Sequence, residues 1–132
     1  MKTILAAAQY PVTAHACFEA WRRHSEQWVI DAVQQKAQIL LFPEYGSMEL
    51  VSLLSEVEQK DLRGQLRSLA EYRDDSWTVY AQLAQKHRVI IVAPSFPISE
   101  GDKIYNRAAV FSPKGLAGFQ DKMFMTRFET EE

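Results

Sequence analysis

Apolar residues along this chain follow two alternating patterns, which together predict strands and helices in a βα order. Short apolar runs at Ile4–Gln9, Ile39–Phe42 and Val89–Ala93 are typical of strands in an α/β sheet. Between the first two runs, apolar residues recur at three- and four-residue spacings and predict a helix over about Ala16–Lys36. This order favours an α/β fold whose first strands are parallel.

The section between the second and third predicted strands has a helical but interrupted pattern. Met48–Leu54 predicts a short helix, and Ser55–Glu58 has the pattern of a capping box that starts another. Apolar residues at helical spacing then predict a helix over Leu62–Tyr72. The polar segment Arg73–Ser76 is expected to break it, and a further helix is predicted over Trp77–His87.

After the third predicted strand the pattern indicates an antiparallel hairpin. Ser99–Asp102 has the composition of a turn. Ile104–Phe111 predicts a strand, Ser112–Gly115 a tight turn with glycine available for a positive φ, and Leu116–Gln120 the returning strand. The predicted sheet is therefore mixed, parallel at first and antiparallel at the end.

Apolar side chains follow the predicted hairpin without a later segment to cover them. They are Met123, Phe124, Met125 and Phe128. Exposed apolar groups usually indicate a missing partner surface, so we expect either further chain or a second subunit here. A frayed terminus is the alternative.

The composition is that of one globular domain with a core. The chain has 132 residues, of which 47% are hydrophobic and 24% are charged. A net charge of -2 gives no general attraction to nucleic acid or to an anionic membrane, so neither is expected as a partner. The single cysteine, Cys17, excludes an intrachain disulfide and fits a cytoplasmic location. No apolar stretch approaches membrane-spanning length.

Glu44 is the first candidate for chemistry, because it follows a predicted buried strand. Pro43 lacks a backbone N–H and ends the strand, which leaves Glu44 beyond the carboxyl end, where open α/β sheets bind ligands. A glutamate in a largely apolar setting tends to have a raised pKa and can serve as a general base. The alternative is a solvated glutamate in a loop.

Four segments resemble, in order and spacing, the nitrilase or carbon–nitrogen hydrolase superfamily. They are Leu40–Glu44, Val89–Ala93, Tyr105–Val110 and Gly118–Lys122, and the first strand with Gln9 and Pro11 matches as well. The resemblance covers the whole chain but only the N-terminal half of such an enzyme. It implies an α/β fold in which residues 1–132 form part of a four-layer αββα sandwich, with helices on one face of a mixed sheet.

The resemblance also implies a reaction. Glu44 would be the general base and Lys122 the catalytic lysine, serving a cysteine nucleophile that lies beyond this chain. Cys17 matches no nucleophile motif of the family, so the 132-residue chain alone is expected to be inactive. The substrate would be a small linear amide, a nitrile or an N-carbamoyl compound, with no cofactor. Such enzymes assemble into homo-oligomers.

Further residues are candidates for the same site. Tyr45, next to the predicted base, is expected to line the substrate pocket. The family often has a second glutamate soon after the lysine, and Glu129, Glu131 and Glu132 are all candidates for it. Asn106 is expected either to point into the pocket or to make a structural hydrogen bond, of which the second is favoured.

Two less specific interpretations remain open. The chain could be a non-catalytic α/β module in which Glu44 and Lys122 form a structural ion pair. The histidines give no sign of a metal site: His15 and His24 flank the first predicted helix without a partner at ligand spacing. His87 falls at a predicted helix C-terminus, where a cation is favoured. We therefore predict no bound metal.

Overall fold

The computed structural model describes residues 1–131, and of Phe128 and Glu131 it describes only the backbone. These residues form one mixed sheet of six strands with two long helices. The elements are β1 (Leu5–Ala7), α1 (Phe18–Gln34), β2 (Ile39–Leu41), 3-10 helices at Gly46–Leu53 and Glu58–Lys60, α2 (Leu62–His87), β3 (Ile90–Val92), β4 (Phe96–Glu100), β5 (Lys103–Ser112), β6 (Gly115–Asp121) and α3 (Arg127–Glu131).

The sheet has a parallel half and an antiparallel half, as the sequence predicts. β1, β2 and β3 are parallel neighbours, and β3 pairs antiparallel with the end of β5. The long strand β5 pairs with β4 beside β3 and with β6 along its other edge. The predicted hairpin is confirmed, and its turn ends at Gly115, whose φ of 110° only glycine adopts readily.

The helices cover one face of the sheet. Leu40 and Ile91 point into the core beneath α1 and α2, where the rings of Trp21, Tyr80 and Phe111 also pack. On the opposite face of the same strands, apolar side chains stay partly exposed: Leu5 by 57%, Leu41 by 39% and Ile90 by 37%. This one-sided burial agrees with the prediction of helices on a single face.

The predicted break within the long helical section is wrong. α2 runs without interruption for 26 residues, through the polar segment Arg73–Ser76. The hydroxyl of Ser76 donates to the carbonyl of Tyr72 at 2.6 Å, and that of Thr78 donates to the carbonyl of Asp74 at 2.8 Å. Because such bonds run back along the same helix, the polar side chains are satisfied without ending it.

The start of α2 also differs from the prediction. Ser55 and Glu58 do exchange capping-box hydrogen bonds, at 2.6 to 3.4 Å, but they lead only into the 3-10 turn Glu58–Lys60. The residue that caps α2 is Asp61, whose carboxylate accepts the backbone N–H of Gly64 at 3.0 Å. An aspartate at this position satisfies one of the unpaired N–H groups of the first turn.

Strand β4 is absent from the sequence prediction. The predicted turn over residues 99–102 lies half inside this strand, and the actual turn is limited to Gly101 and Asp102. The sequence pattern does not indicate this strand because Pro97 cannot donate to a ladder. Proline is tolerated here because, among residues 1–131, β4 pairs along one edge only.

The segment after β6 is short and exposed. Met123 is 80% exposed and Phe124 is 86% exposed, as expected from the sequence, while a short helix, α3, follows that the sequence pattern does not predict. Among residues 1–131, no helix combines the length and the hydrophobicity needed to cross a membrane.

Candidate active site

The turn after β2 carries Glu44 and is fastened to the segment that follows β3. Its backbone is held where the N–H of Tyr45 donates to the hydroxyl of Ser95 at 2.7 Å. Tyr45 itself adopts a left-handed conformation, with φ of 55°, which turns the chain sharply into the first 3-10 helix. The side chain of Glu44 is 55% exposed, so the apolar setting expected from the sequence is not found among the described residues.

Lys122 follows the end of β6 and reaches Glu44. Its backbone N–H donates to the carbonyl of Asn106 at 2.9 Å, and its ammonium Nζ lies 2.9 Å from Oε1 of Glu44. Hydrogen bonds from this ammonium to Glu44 and then to Glu129 raise the pKa of Lys122, which keeps it positively charged. The two residues are therefore in direct contact although they lie 78 positions apart in the sequence.

Asn106 forms hydrogen bonds with both candidate residues, Glu44 and Lys122. It lies in β5 with 4% of its surface exposed, and its side-chain amide donates to the same Oε1 of Glu44 at 2.9 Å. Its backbone carbonyl accepts the N–H of Lys122. The favoured prediction of a structural hydrogen bond therefore holds, and its acceptor is the candidate base itself.

Among the described residues, Glu129 is the candidate second glutamate that contacts the site. Its carboxylate lies 2.9 Å from Nζ of Lys122 and accepts the hydroxyl of Tyr45 at 2.7 Å and the backbone N–H of Thr126 at 2.6 Å. The hydrogen bond from Tyr45, with those from Thr126 and Lys122, lowers the pKa of Glu129 to about 2. The other two candidates, the Glu131 side chain and Glu132, lie outside the described residues.

A cleft of about 610 Å³ opens beside this group. Tyr45, Asn106 and Glu129 line one part of it, and apolar side chains, including Met48, Leu66 and Tyr105, line much of the rest. Glu44 and Lys122 line a neighbouring concave surface of about 320 Å³ together with Asn106. The volume of the larger cleft is within the range of small-molecule sites.

Cys17 lines neither of these two concave surfaces. It is exposed and occupies the N-cap of α1, where its carbonyl accepts the N–H groups of Ala20 and Trp21.

Two histidines form a cluster that the sequence prediction misses. His24 lies inside α1, and His15 lies in the segment before it. Both approach the buried Glu49 of the first 3-10 helix, at 2.7 Å for His15 and 3.6 Å for His24. The prediction that these histidines have no partner at ligand spacing is wrong, because their partner is 25 or more positions away in sequence.

Known proteins share this arrangement of strands and helices. A carbon–nitrogen hydrolase from Helicobacter pylori superposes with a TM-score of 0.69 at 18% identity, over 96% of this chain and 41% of that one. The NitFhit protein of C. elegans gives a TM-score of 0.68 at 15% identity, over 96% of this chain and 30% of that one. A double mutant of the amidase from Nesterenkonia sp. in complex with acrylamide gives 0.66 at 17% identity, over 94% and 44%.

The α/β fold with a mixed sheet is thus shared with these structures, and the Nesterenkonia amidase among them is a member of the nitrilase superfamily. The chain belongs to the carbon–nitrogen hydrolase family, whose profile matches residues 4–131. A curated relative, the probable hydrolase YhcX of Bacillus subtilis, is 29% identical over 118 residues, which are 89% of this chain and 22% of that protein. The chain therefore spans less than half the length of these relatives.

Proposed function

We propose that this chain is the part of a carbon–nitrogen hydrolase that supplies the general base and the oxyanion-stabilising charge for cleavage of a small linear amide. In this proposal Glu44 is the base and Lys122 is the charge. The observation that carries it is the 2.9 Å contact between Nζ of Lys122 and Oε1 of Glu44, made beyond the ends of two different strands. Convergence of reactive groups at strand ends is typical of ligand sites in α/β sheets.

The reaction needs a nucleophile, which we place outside these 132 residues because Cys17 caps α1 and lines neither of the two concave surfaces beside Glu44 and Lys122. Glu44 would take the proton of that cysteine, and the thiolate would attack the amide carbon. Lys122 would stabilise the tetrahedral oxyanion. The amine would leave with the proton from Glu44, which would then deprotonate a water that hydrolyses the thioester.

One neighbouring structure supports a thiol mechanism. Acrylamide has added to the active-site cysteine in a structure of the Nesterenkonia amidase, which superposes on 95% of this chain at 18% identity. An amide substrate for this chain is proposed by analogy with that amidase. Nitriles and N-carbamoyl compounds are the further candidates, since they present a similar electrophilic carbon.

Glu44 and Glu129 would have different roles, Glu44 as the proton acceptor and Glu129 as the group that positions the lysine. Glu129 accepts hydrogen bonds from Tyr45, Thr126 and Lys122, and its low pKa keeps it ionised, so it suits positioning of the lysine. Glu44 receives the bonds from Asn106 and Lys122 on the one oxygen Oε1. Its Oε2 takes part in neither bond, which suits a group that must accept a proton.

The test is an assay of the natural reading frame for release of ammonia from a panel of small amides. Glu44→Gln is expected to lower kcat by about 10²–10⁴-fold, because the base is removed. Lys122→Met is expected to lower it by about 10²–10³-fold, because the oxyanion loses a charge. Glu56→Gln, at an exposed position before α2, is the matched control and should leave turnover unchanged.

The isolated chain provides a second arm of the test. Residues 1–132 alone are expected to hydrolyse no amide, since they supply no nucleophile. Turnover by this fragment that Cys17→Ala abolishes would overturn the proposal. Wild-type turnover by the Glu44→Gln variant of the complete protein would favour the other interpretation, in which Glu44 and Lys122 form only a structural ion pair.

We also propose that the complete protein is a cytoplasmic homo-oligomer that acts without a cofactor. The exposed apolar side chains of Met123 and Phe124, and those on the open face of the sheet, support the need for a covering surface. Size-exclusion chromatography with light scattering would measure the assembly, and a monomer would contradict it.

A further inference from the structure

The cluster of His15, His24 and Glu49 lies on the side of the first 3-10 helix that faces α1. Each residue offers one ligand atom, and the three atoms all lie within 4.8 Å of one another. Nε2 of His15 is 2.7 Å from Oε1 of Glu49, and Nε2 of His24 is 3.6 Å from the same oxygen. The two imidazole rings are tilted by 54°, with centroids 5.1 Å apart.

Glu49 is fully buried, so the cost of burying its carboxylate must be compensated. Its side chain has no exposed surface, and it accepts hydrogen bonds from the hydroxyl of Tyr10, the backbone N–H of Thr13 at 3.2 Å and the ring of His15. Burying a carboxylate is costly unless a positive charge or a metal ion is nearby. A neutral histidine supplies a hydrogen bond but no charge.

His24 provides an independent observation. Its Nε2 atom is buried and has no hydrogen-bond partner, because 3.6 Å to Glu49 exceeds hydrogen-bonding distance. Buried polar atoms are nearly always satisfied, so an orphan nitrogen directed at a buried carboxylate requires an explanation. An ion between the two atoms would satisfy both.

We propose that Nε2 of His15, Nε2 of His24 and Oε1 of Glu49 bind a divalent transition-metal ion, with Zn²⁺ as the best match. Two imidazole nitrogens and one carboxylate are a ligand set that Zn²⁺ accepts at roughly 2.0–2.2 Å, with a fourth position for water. Tetrahedral geometry at that distance separates the ligand atoms by about 3.3 Å. The distances of 2.7 and 3.6 Å in the cluster fall on either side of this value.

The surrounding groups suit such a site. Tyr10 donates to Oε2 of Glu49, which leaves Oε1 directed at the histidines. A hydrogen bond to the second oxygen of a ligating carboxylate fixes its orientation.

The ion would have a structural role. It would link the segment before α1, the helix α1 and the 3-10 helix Gly46–Leu53, which begins two residues after Glu44. The site is separate from the Glu44–Lys122 pair and does not depend on the proposed hydrolytic activity. Binding would stabilise the fold in proportion to the free ion concentration.

The test is metal binding by the purified, chelator-treated protein, measured by competition with a chromophoric chelator. We expect one Zn²⁺ per chain, and loss of binding in His24→Ala and in Glu49→Gln. The matched control is His87→Ala, which removes the third histidine of this chain at the end of α2 and should leave the affinity unchanged. Tyr10→Phe should weaken binding by about 10–100-fold, as loss of a partner to a ligating group does.

A second measurement needs no variant and therefore does not depend on the folding of one. Co²⁺ bound to the wild-type protein should give the visible absorption of a nitrogen- and oxygen-ligated ion, without the thiolate charge-transfer band that Cys17 would produce. Absence of a bound ion in the wild-type protein, equal binding by His24→Ala and the wild type, or a thiolate band would each overturn the proposal.

Discussion

The hydroxyl of Tyr45 donates a 2.7 Å hydrogen bond to Oε1 of Glu129, which lies 84 positions further along the chain. The same glutamate holds Nζ of Lys122 at 2.9 Å through its other oxygen. Tyr45 therefore acts on the lysine through Glu129, and it does so from the residue next to Glu44. The position of the Lys122 ammonium therefore depends on the hydroxyl of Tyr45.

Removing the hydroxyl of Tyr45 should change both the pKa of Glu129 and the free energy of unfolding. In Tyr45→Phe the pKa of Glu129 should rise from about 2 towards its usual value near 4.5, because the largest cause of its depression is lost. Stability should fall by about 1 kcal/mol at neutral pH. A carboxyl group whose pKa is lowered by folding stabilises the folded state above about pH 4.5, and this contribution is lost as the pH falls towards 2. The stability difference between Tyr45→Phe and the wild type should therefore shrink over this pH interval.

Carboxyl-carbon NMR titration and urea denaturation at several pH values would measure the two effects. Tyr72→Phe, which removes a hydroxyl from the middle of α2, is the control. A stability difference that stays constant down to pH 2 would contradict the role given to Tyr45.

Gly46 should tolerate no side chain. A Cβ at this position would lie 2.8 Å from Cβ of Pro94 and 3.4 Å from Cγ of Pro43, and both belong to rigid rings. Gly46→Ala should therefore cost about 1–3 kcal/mol and displace the turn that carries Glu44. Gly118→Ala is the control, because a Cβ there meets no atom within 4 Å, and it should change stability by less than about 0.5 kcal/mol. Thermal or urea denaturation measures both, and equal effects would refute the steric argument.

Asn106 should be replaceable by neither alanine nor aspartate. Asn106→Ala removes the donor to Glu44 from a buried position and should cost about 1–3 kcal/mol at any pH between 4 and 8. Asn106→Asp keeps the shape but sets a second carboxyl against Glu44, which raises the folded pKa of the new group above its unfolded value. Its destabilisation should therefore grow as the pH rises through the acid range. Parallel pH dependence for the two variants in urea denaturation would contradict this.

Arg107 should not be replaceable by lysine. Its guanidinium bonds Asp121 through Nε at 2.6 Å and Nη2 at 2.9 Å, contacts Glu100 through Nη1 at 2.9 Å, and lies 4.0 Å above the ring of Phe119. A lysine offers no such fork, so Arg107→Lys should cost about 1 kcal/mol or more. The pKa of Asp121, which the bond from Arg107 lowers, should rise.

Arg23→Lys is the matched control for this substitution, since Arg23 is 71% exposed on α1. Its stability should not change measurably. Because Asp121 precedes Lys122 directly, a loss of order at residue 121 should also broaden the NMR signals of the lysine; unchanged signals would limit the effect of Arg107 to β5 and its neighbours.

Local patterns predicted the parts of the fold that local physics decides. The apolar runs of β1, β2 and β3 and the glycine turn before β6 are each recognisable within a few residues. The predicted break near Arg73–Ser76 fails because helix propensity weighs little once apolar side chains on both sides pack on the same sheet. β4 is missed because its pairing with β5, not its composition, makes it a strand.

The strand that ends at Pro43 was enough to make Glu44 a candidate, but its partners could be predicted only where a family resemblance supplied the long-range information. Glu44 and Lys122 come from matched segments, and their contact follows. The bond from Asn106 to Glu44 joins residues 62 positions apart, and the contacts of Glu49 with His24 and His15 join residues 25 and 34 positions apart. No spacing rule reaches over such distances, because the chain between them folds as separate helices and strands.

The separation of Glu44 and Lys122 by 78 positions has a consequence for the newly made chain. At translation rates of about 5–20 residues per second, Glu44 emerges roughly 4–16 s before the lysine that pairs with it. In that interval the carboxylate lacks its positively charged partner, and the parallel strands β1, β2 and β3 can pair once they have been made. The ion pair between Glu44 and Lys122 therefore forms late, on strands that the burial of apolar side chains has already stabilised.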